Sequence, residues 1–264
     1  MDNFTDKRDD ALLDGDRYTF FVLRRVMKDK CRLLLTDHER LIICHTDVPH
    51  PVWIWTPDGA PQEEKERAYR LAEEKGFLDG EHFFNMKYDL AEYFIERAAI
   101  DGVELGIKMN LFAYDCPAPI KPDIPAEGGL FHCTPSDTDE VTEFVTAFRR
   151  AVSPEQADDA ERARADAAKF IEDGYMYFWK TSEGESAACC KYATDGGLAS
   201  VNFVYTRPEF RRKHIAQNMV YAVTKLADDA GYTPMLYTDA DYAASNACYE
   251  KIGYILRGKL CEVG

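Results

Sequence analysis

The sequence predicts an α/β protein made of two tandem mixed-sheet domains. Runs rich in β-branched and aromatic residues alternate with amphipathic helical segments along the 264 residues. One proline-rich stretch divides the chain near its middle. The same element order occurs on both sides of it, with Pro57, Gly76 and Gly102 matched by Pro208, Gly231 and Gly253 at similar spacings. This internal correspondence favours a duplication over a chance order of elements.

The division falls at residues 116–125, which contain four prolines in ten positions. Proline lacks the N–H that a helix or a central strand requires, so this stretch is expected to be an extended linker. The predicted domains are therefore residues 1–125, including the linker, and residues 126–264.

The first domain is predicted to begin with a helix and to continue as strands and helices. The expected helices cover 8–29, 61–75 and 89–100, and the expected strands cover 31–37, 40–46, 52–56, 82–87 and 103–114. Pro61 at the start and Gly76 after the end support the second helix, because these residues favour opposite helix termini.

The second domain is predicted to be richer in strands. Strands are expected over 129–134, 175–180, 186–193, 199–206, 235–238 and 253–260, and helices over 137–150, 154–173, 214–230 and 243–251. The helix over 214–230 has a continuous apolar face that begins at Ile215.

Composition excludes several classes of function. The chain has 47 acidic and 32 basic residues, a net charge of −15 and an isoelectric point of about 4.9. Such a chain repels nucleic-acid backbones, and it suits cationic or amine partners. The eight cysteines form no CxxC pair, so neither a zinc site nor a disulfide framework is expected. No secretory signal or membrane span is predicted, which indicates a cytoplasmic protein.

The most informative segment is Val204-Tyr-Thr-Arg-Pro-Glu-Phe-Arg-Arg-Lys-His-Ile-Ala216, which joins a predicted strand to a predicted helix. Helix N-termini offer free backbone N–H groups and the positive end of the helix dipole. The consecutive bases Arg211, Arg212 and Lys213 would add charge suited to a pyrophosphate. Considered alone, the segment is more typical of a solvated helix start with a basic cluster.

A second segment lies about thirty residues further on: Leu236-Tyr-Thr-Asp-Ala-Asp-Tyr-Ala-Ala-Ser-Asn-Ala-Cys-Tyr-Glu-Lys-Ile-Gly-Tyr254. Within it, Asn246 and Tyr249 are three residues apart and share one helix face. The two segments together resemble the strand, acyl-CoA loop and following helix of the GNAT acetyltransferase superfamily. Two motifs in the correct order and spacing are more specific than either alone.

The resemblance implies a role for each matching residue. The strand residues that would pair their backbone with the pantetheine arm are Val204, Tyr205 and Thr206. The loop residues that would bind the pyrophosphate are Arg211, Arg212, Lys213, His214, Ile215 and Ala216. Asn246 would contact the pantetheine, and Tyr249 would protonate the departing CoA thiolate.

Two residues of the loop depart from the family pattern R/Q-x-x-G-x-G/A. His214 stands at the inner glycine, and Arg212 stands at another position where glycine is frequent. Glycine allows positive φ and close approach to phosphate. We expect His214 to lie in a right-handed first helical turn, where no special φ is needed. The first domain lacks a basic loop, and it resembles a degenerate GNAT-like domain without a CoA site that supports the active half.

The implied activity is transfer of an acetyl group from acetyl-CoA to a primary amine by direct attack, without a metal. The acceptor is a small molecule or a protein amine, and a homodimer is left open. The residues considered as general base are Asn202, His132, Tyr175, Tyr177 and Asp239. The alternative function is a non-catalytic acyl-CoA-binding or protein-interaction module.

Overall fold

The structure is a computed structural model that describes residues 1–28, 31–152 and 159–264. Its helices and strands form two compact units. The first unit contains residues 1–114, 238–243 and 256–264, and the second contains 115–237 and 244–255. Elements whose residues fall in both units are assigned to the unit that holds most of them. No helix among the described residues is long and apolar enough to span a membrane.

The first unit is a mixed sheet with helices packed on it. Its elements are α1 (Lys7–Leu12), α2 (Phe21–Lys28), β1 (Leu33–Thr36), β2 (Ile42–His45), β3 (Val52–Trp55), α3 (Gln62–Glu74), β4 (Phe84–Met86), α4 (Tyr88–Asp101), β5 (Ile107–Asp115) and β11 (Ile255–Val263). The strand order is β1-β2-β3-β4-β11-β5, and only the β3–β4 pairing is described as parallel. The faces of α3 and α4 that contain Tyr69 and Phe94 are buried in one hydrophobic core.

The single helix predicted over 8–29 is wrong, because α1 ends at Leu12 and α2 begins at Phe21. Between them, Asp16 accepts a hydrogen bond of 2.7 Å from the indole Nε1 of Trp55. Gly15 also disfavours helix at this point. A long-range contact therefore competes with local helix propensity here. The other helices and strands predicted for this unit are found, with shifted ends.

The second unit is also a mixed sheet. Its elements are β6 (Gly129–His132), α5 (Thr138–Val152), α6 (Ala160–Glu172), β7 (Met176–Lys180), β8 (Ser186–Asp195), β9 (Leu198–Thr206), α7 (Ile215–Asp229), β10 (Thr233–Asp239) and α8 (Ala243–Ile252). The strand order is β10-β9-β8-β7-β6, with β10 and β9 parallel and the others antiparallel. Part of the helix predicted over 154–173, namely 154–158, lies outside the described residues.

Strand β9 contains a β-bulge. Cys189 of β8 pairs with Tyr205 and Lys191 pairs with Asn202, so two residues of β9 oppose one residue of β8. The bulged residue Phe203 has φ of 55°, and its ring lies 4.7 Å from that of Phe148 on α5. This packing holds the bulge in place.

The parallel pairing of β9 with β10 is short. It joins Leu198 to Thr233 and continues only as far as Ser200 with Met235. Among the described residues, positions 201–206 of β9 have no partner in β10. The two strands therefore separate at their carboxyl ends, where parallel strands commonly bind ligands.

The proline-rich segment is fixed within the second unit. The N–H of Cys116 donates to the Pro234 carbonyl at 2.8 Å, and the N–H of Ile120 donates to the Ile252 carbonyl at 2.7 Å. These two bonds attach the segment to β10 and to the end of α8. The functional division at residues 125 and 126 stays a prediction.

Gly253 packs directly against this segment. It has φ of 102°, and a Cβ at this position would lie 2.6 Å from the Ala118 carbonyl oxygen. Gly231 has φ of 86°, and no described atom lies within 4 Å of such a Cβ. We expect Gly231→Ala to lower the free energy of unfolding by about 1–2 kcal/mol, and Gly253→Ala to lower it by more. Urea unfolding of both variants measures the difference, and equal losses would contradict the close contact.

Candidate active site

The loop between β9 and α7 forms the centre of the candidate site. A short 3₁₀ turn, Pro208–Phe210, follows β9, and residues 211–214 then lead into α7 with exposed side chains. The guanidinium Nε of Arg211 donates to the Thr206 carbonyl at 3.1 Å. This bond ties the loop back to the end of β9. The first N–H groups of α7 have no partners within the helix, so they are available to an anion.

The expectation of a right-handed turn at His214 is wrong. Arg212 and His214 both have φ of 61°, and His214 is the left-handed N-cap of α7. The loop thus keeps the backbone conformation that glycine favours, although neither residue is glycine. Left-handed backbone costs an ordinary L-residue about 1–2 kcal/mol. The Asn218 side chain supports the conformation by donating to the His214 carbonyl at 3.0 Å.

The loop carries cationic charge that is not neutralised. Arg211, Arg212 and Lys213 are exposed, and none of them has an ion-pair partner within the described parts of the chain. The Lys213 ammonium lies 5.1 Å from the centre of the Phe210 ring. In a chain of net charge −15, this concentration of positive charge favours an anionic ligand.

Asn246 and Tyr249 share one face of α8, as the sequence predicts. Both residues are 9% exposed. The Tyr249 ring makes an edge contact with the Tyr254 ring, with 6.0 Å between their centres. The Tyr254 hydroxyl shares a 2.7 Å hydrogen bond with Thr224 of α7, and burial raises the pKa of Tyr254 well above its usual value. These contacts fix the orientation of α8 relative to α7.

Three of the candidate bases belong to a separate aromatic cluster. His132 lies on β6, and its Nε2 is 2.8 Å from the Gly174 carbonyl oxygen. Strands β7 and β8 separate it from β9, a distance of roughly 14 Å at the usual strand spacing. Tyr175 and Tyr177 pack on Tyr192, and burial raises the pKa of Tyr177. The structure thus does not bring these residues to the end of β9.

The other two candidate bases are placed differently. Asn202 lies on β9 itself, and its side-chain amide donates to the Ser200 carbonyl at 3.0 Å. Asp239 belongs to the first unit. Neither arrangement identifies a general base.

Arg207 is a residue whose structural role the sequence did not indicate. Its guanidinium carbon lies 4.6 Å from the centre of the Phe144 ring on α5, and its NH2 atom is 3.5 Å from a Glu143 carboxylate oxygen. It therefore attaches the end of β9 to α5. The neighbouring Thr206 has a buried hydroxyl without a hydrogen-bond partner among the described residues. No sequence pattern signals the contacts of Arg207 with Phe144 and Glu143, because both residues belong to α5.

One group of potential metal ligands occurs among the described residues. Side-chain atoms of Asp6, Asp9 and His38 lie within 4.8 Å of one another in the first unit. His38 Nδ1 is 2.8 Å from Asp9 Oδ2, and the Thr36 hydroxyl donates to Asp9 Oδ1 at 2.6 Å. These groups satisfy one another, and they hold the start of the chain against β1.

Comparison with known proteins matches much of the second unit to one family model. Residues 139–254 match the model of the acetyltransferase (GNAT) family. No curated protein matches the chain significantly.

Solved structures share the fold over most of the chain. A GCN5-related N-acetyltransferase from Sphaerobacter thermophilus has a TM-score of 0.64 at 11% identity, covering 99% of this chain and 94% of that one. A GCN5-related N-acetyltransferase from Kribbella flavida has a TM-score of 0.63 at 15% identity, with coverages of 95% and 94%. A tandem GNAT protein from the clavulanic acid biosynthesis pathway has a TM-score of 0.52 at 14% identity, with coverages of 84% and 77%. The prediction of two tandem GNAT-like mixed-sheet domains is thus confirmed at the level of the fold.

The left-handed loop leads to a stability prediction. His214→Gly should raise the free energy of unfolding by about 0.5–1 kcal/mol, because relief of the left-handed backbone exceeds the added entropy of the unfolded chain. Lys213 does not have positive φ, so Lys213→Gly should lower stability by about 0.5–1 kcal/mol. Urea unfolding measures the free energy of unfolding of both variants. A decrease in both would contradict the left-handed backbone assigned to His214.

Proposed function

We propose that the protein is an N-acetyltransferase that moves an acetyl group from acetyl-CoA to a primary amine. The observation that carries this proposal is the separation of β9 from β10 beside a basic loop at the start of α7. It provides, in one place, free strand backbone for an acyl-pantetheine arm and N–H groups with positive charge for a pyrophosphate.

The chain's residues fit the phosphate end of CoA. Arg211 is engaged with the Thr206 carbonyl, so Arg212 and Lys213 are the bases free to reach phosphate oxygens. The N–H groups of Ile215 and Ala216 at the helix start would add neutral donors.

Other residues of the site suit the rest of CoA. Backbone groups of Val204, Tyr205 and Thr206 would pair with the pantetheine, because β10 does not use the edge of β9 there. Asn246 would contact the pantetheine from α8.

Bound acetyl-CoA would supply a thioester whose carbonyl carbon accepts the amine. The backbone N–H groups near the bulge in β9 would donate to the carbonyl oxygen as negative charge develops on it. The attacking nitrogen would lose a proton to water as the C–N bond forms, and the Tyr249 hydroxyl would donate its proton to the CoA sulfur as the C–S bond breaks. Holding donor and acceptor in line would provide much of the rate.

The alternative is a non-catalytic acyl-CoA-binding or protein-interaction module. The observation that favours it is the occupation of two left-handed loop positions by Arg212 and His214, where glycine would leave the backbone open to phosphate. Release of free CoA thiol from acetyl-CoA with a panel of amines separates an enzyme from a binding module. Acetyl-CoA binding separates both from a module that binds only a protein.

Removing either free base should weaken acetyl-CoA binding. Contacts to charged groups contribute about 1.5–3 kcal/mol, so Arg212→Ala and Lys213→Ala should each cost roughly tenfold in affinity or more. The loss should be larger at low salt and small for a pantetheine analogue without phosphate. Lys169→Ala removes one exposed charge on α6 and is the control. Isothermal titration gives the acetyl-CoA affinity of the parent and of the three variants. If both loop variants bind acetyl-CoA as tightly as the parent, the assigned pyrophosphate site is excluded.

Removing the Tyr249 hydroxyl should affect catalysis and leave binding unchanged. Tyr249→Phe keeps the ring contact with Tyr254, and it should lower kcat by about 10²–10⁴-fold with little change in acetyl-CoA affinity. Tyr242→Phe, at an exposed position before α8, is the matched control. Thiol release under chemistry-limited conditions measures kcat. An unchanged value would show that another group protonates the thiolate.

A further inference from the structure

A charged crevice lies wholly within the first unit, at the carboxyl ends of its two parallel strands. The pairing of β3 with β4 joins Val52 to Phe84 and ends with Trp53 and Asn85. A cavity of about 580 Å³ follows, and its charged lining residues are Asp16, Asp58, Lys65, Lys87, Asp89, Arg257 and Lys259. Crevices at the carboxyl ends of parallel strands are common ligand sites.

Lys87 is the central cation of this crevice. The residue is only 9% exposed, and its Nζ lies 2.7 Å from both Asp16 Oδ2 and Asp58 Oδ1. The Trp55 indole donates to the same Asp16 oxygen at 2.7 Å. The buried ammonium is therefore held by two carboxylates, that of Asp16, which Trp55 also holds, and that of Asp58.

The Asp58 carboxylate is held much less firmly. Its side chain is 87% exposed, and it lies next to Gly59, whose φ is 65°. Ion pairs with such exposed groups contribute little to stability. A ligand oxyanion could therefore take the place of Asp58 beside Lys87 at small cost.

The remaining charges of the crevice favour an anion. Lys65 is paired with Asp89 at 3.3 Å. Lys259 lies 4.9 Å above the Phe112 ring and has no ion-pair partner within the described residues. With Arg257, four bases and three acids line the cavity, in a chain whose net charge is −15. Displacement of Asp58 would increase this local positive excess.

We propose that this crevice binds a small oxyanion, a phosphate or a carboxylate group, with Lys87 as its principal ligand and Asp58 as a built-in competitor. An oxygen of the anion accepts the Lys87 N–H that Asp58 now accepts. The Lys259 ammonium supplies a second positive charge next to the anion. A cationic ligand would have to separate the buried Lys87 from Asp16, which leaves a buried charge unpaired.

The test is isothermal titration of the full chain with inorganic phosphate and, separately, succinate, at constant ionic strength set with chloride. Asp58→Asn should bind about two- to fivefold more tightly than the parent, because the competitor's charge is gone. Lys259→Gln should bind more weakly by about threefold, and Lys87→Gln by tenfold or more. Asp123→Asn, an exposed acid of the second unit, should match the parent. Tight binding of phosphate alone or of succinate alone identifies which oxyanion the crevice takes.

Phosphate could also bind at the loop before α7, so Lys213→Ala is a second control. In the Lys213→Ala background, Asp58→Asn should increase anion affinity by the same factor as in the parent. Asp58→Asn should also leave the affinity for acetyl-CoA unchanged. If Lys87→Gln does not fold, Lys259→Gln and Asp58→Asn still decide the outcome. The proposal is overturned if neither anion binds the Asp58→Asn protein, or if Asp58→Asn and Asp123→Asn have the same anion affinity. It is also overturned if the cation spermidine binds the crevice and the anions do not.

Discussion

The β-bulge at Phe203 is the constraint on which the candidate active site depends. One extra residue in β9 bends the strand, and the Phe203 ring packs against Phe148 and Phe170 to hold that bend. Pairing with β10 stops at Ser200, before the bulge. The free edge of β9, the turn that follows it and the start of α7 therefore all take their positions from a packing interaction between β9 and two helices. Arg207 adds a second attachment of β9 to α5.

The loop after β9 shows how this unit keeps a glycine-like backbone without glycine. Arg212 and His214 are left-handed, and their strain is offset by neighbours that fix the loop from both sides. Arg211 bonds to the end of β9, and Asn218 donates to the carbonyls of His214 and Ile124. Strained backbone that its surroundings hold in place is typical of sites that bind ligands through N–H groups.

Each unit contains one pair of parallel strands that separates at the carboxyl ends, and the two places differ in charge. In the second unit, the bases after β9 are exposed and not neutralised, which suits a phosphate-bearing ligand reached from solvent. In the first unit, Lys87 is buried between Asp16 and Asp58, and no basic loop precedes α3. The same strand arrangement therefore presents an open cationic surface in one unit and an internally compensated crevice in the other.

The sequence by itself determined the α/β class, most elements, the two motifs and the shared face of Asn246 and Tyr249, because these follow from local periodicity and spacing. Tertiary structure alone decided the break between α1 and α2, the bulge at Phe203, the left-handed backbone at His214 and the placement of His132 away from β9. The first three depend on contacts between residues distant in sequence: Trp55 with Asp16, Phe148 with the bulge, and Ile124 with the Asn218 side chain that supports the loop. Local propensities are worth a few tenths to about one kcal/mol per residue, so such contacts override them.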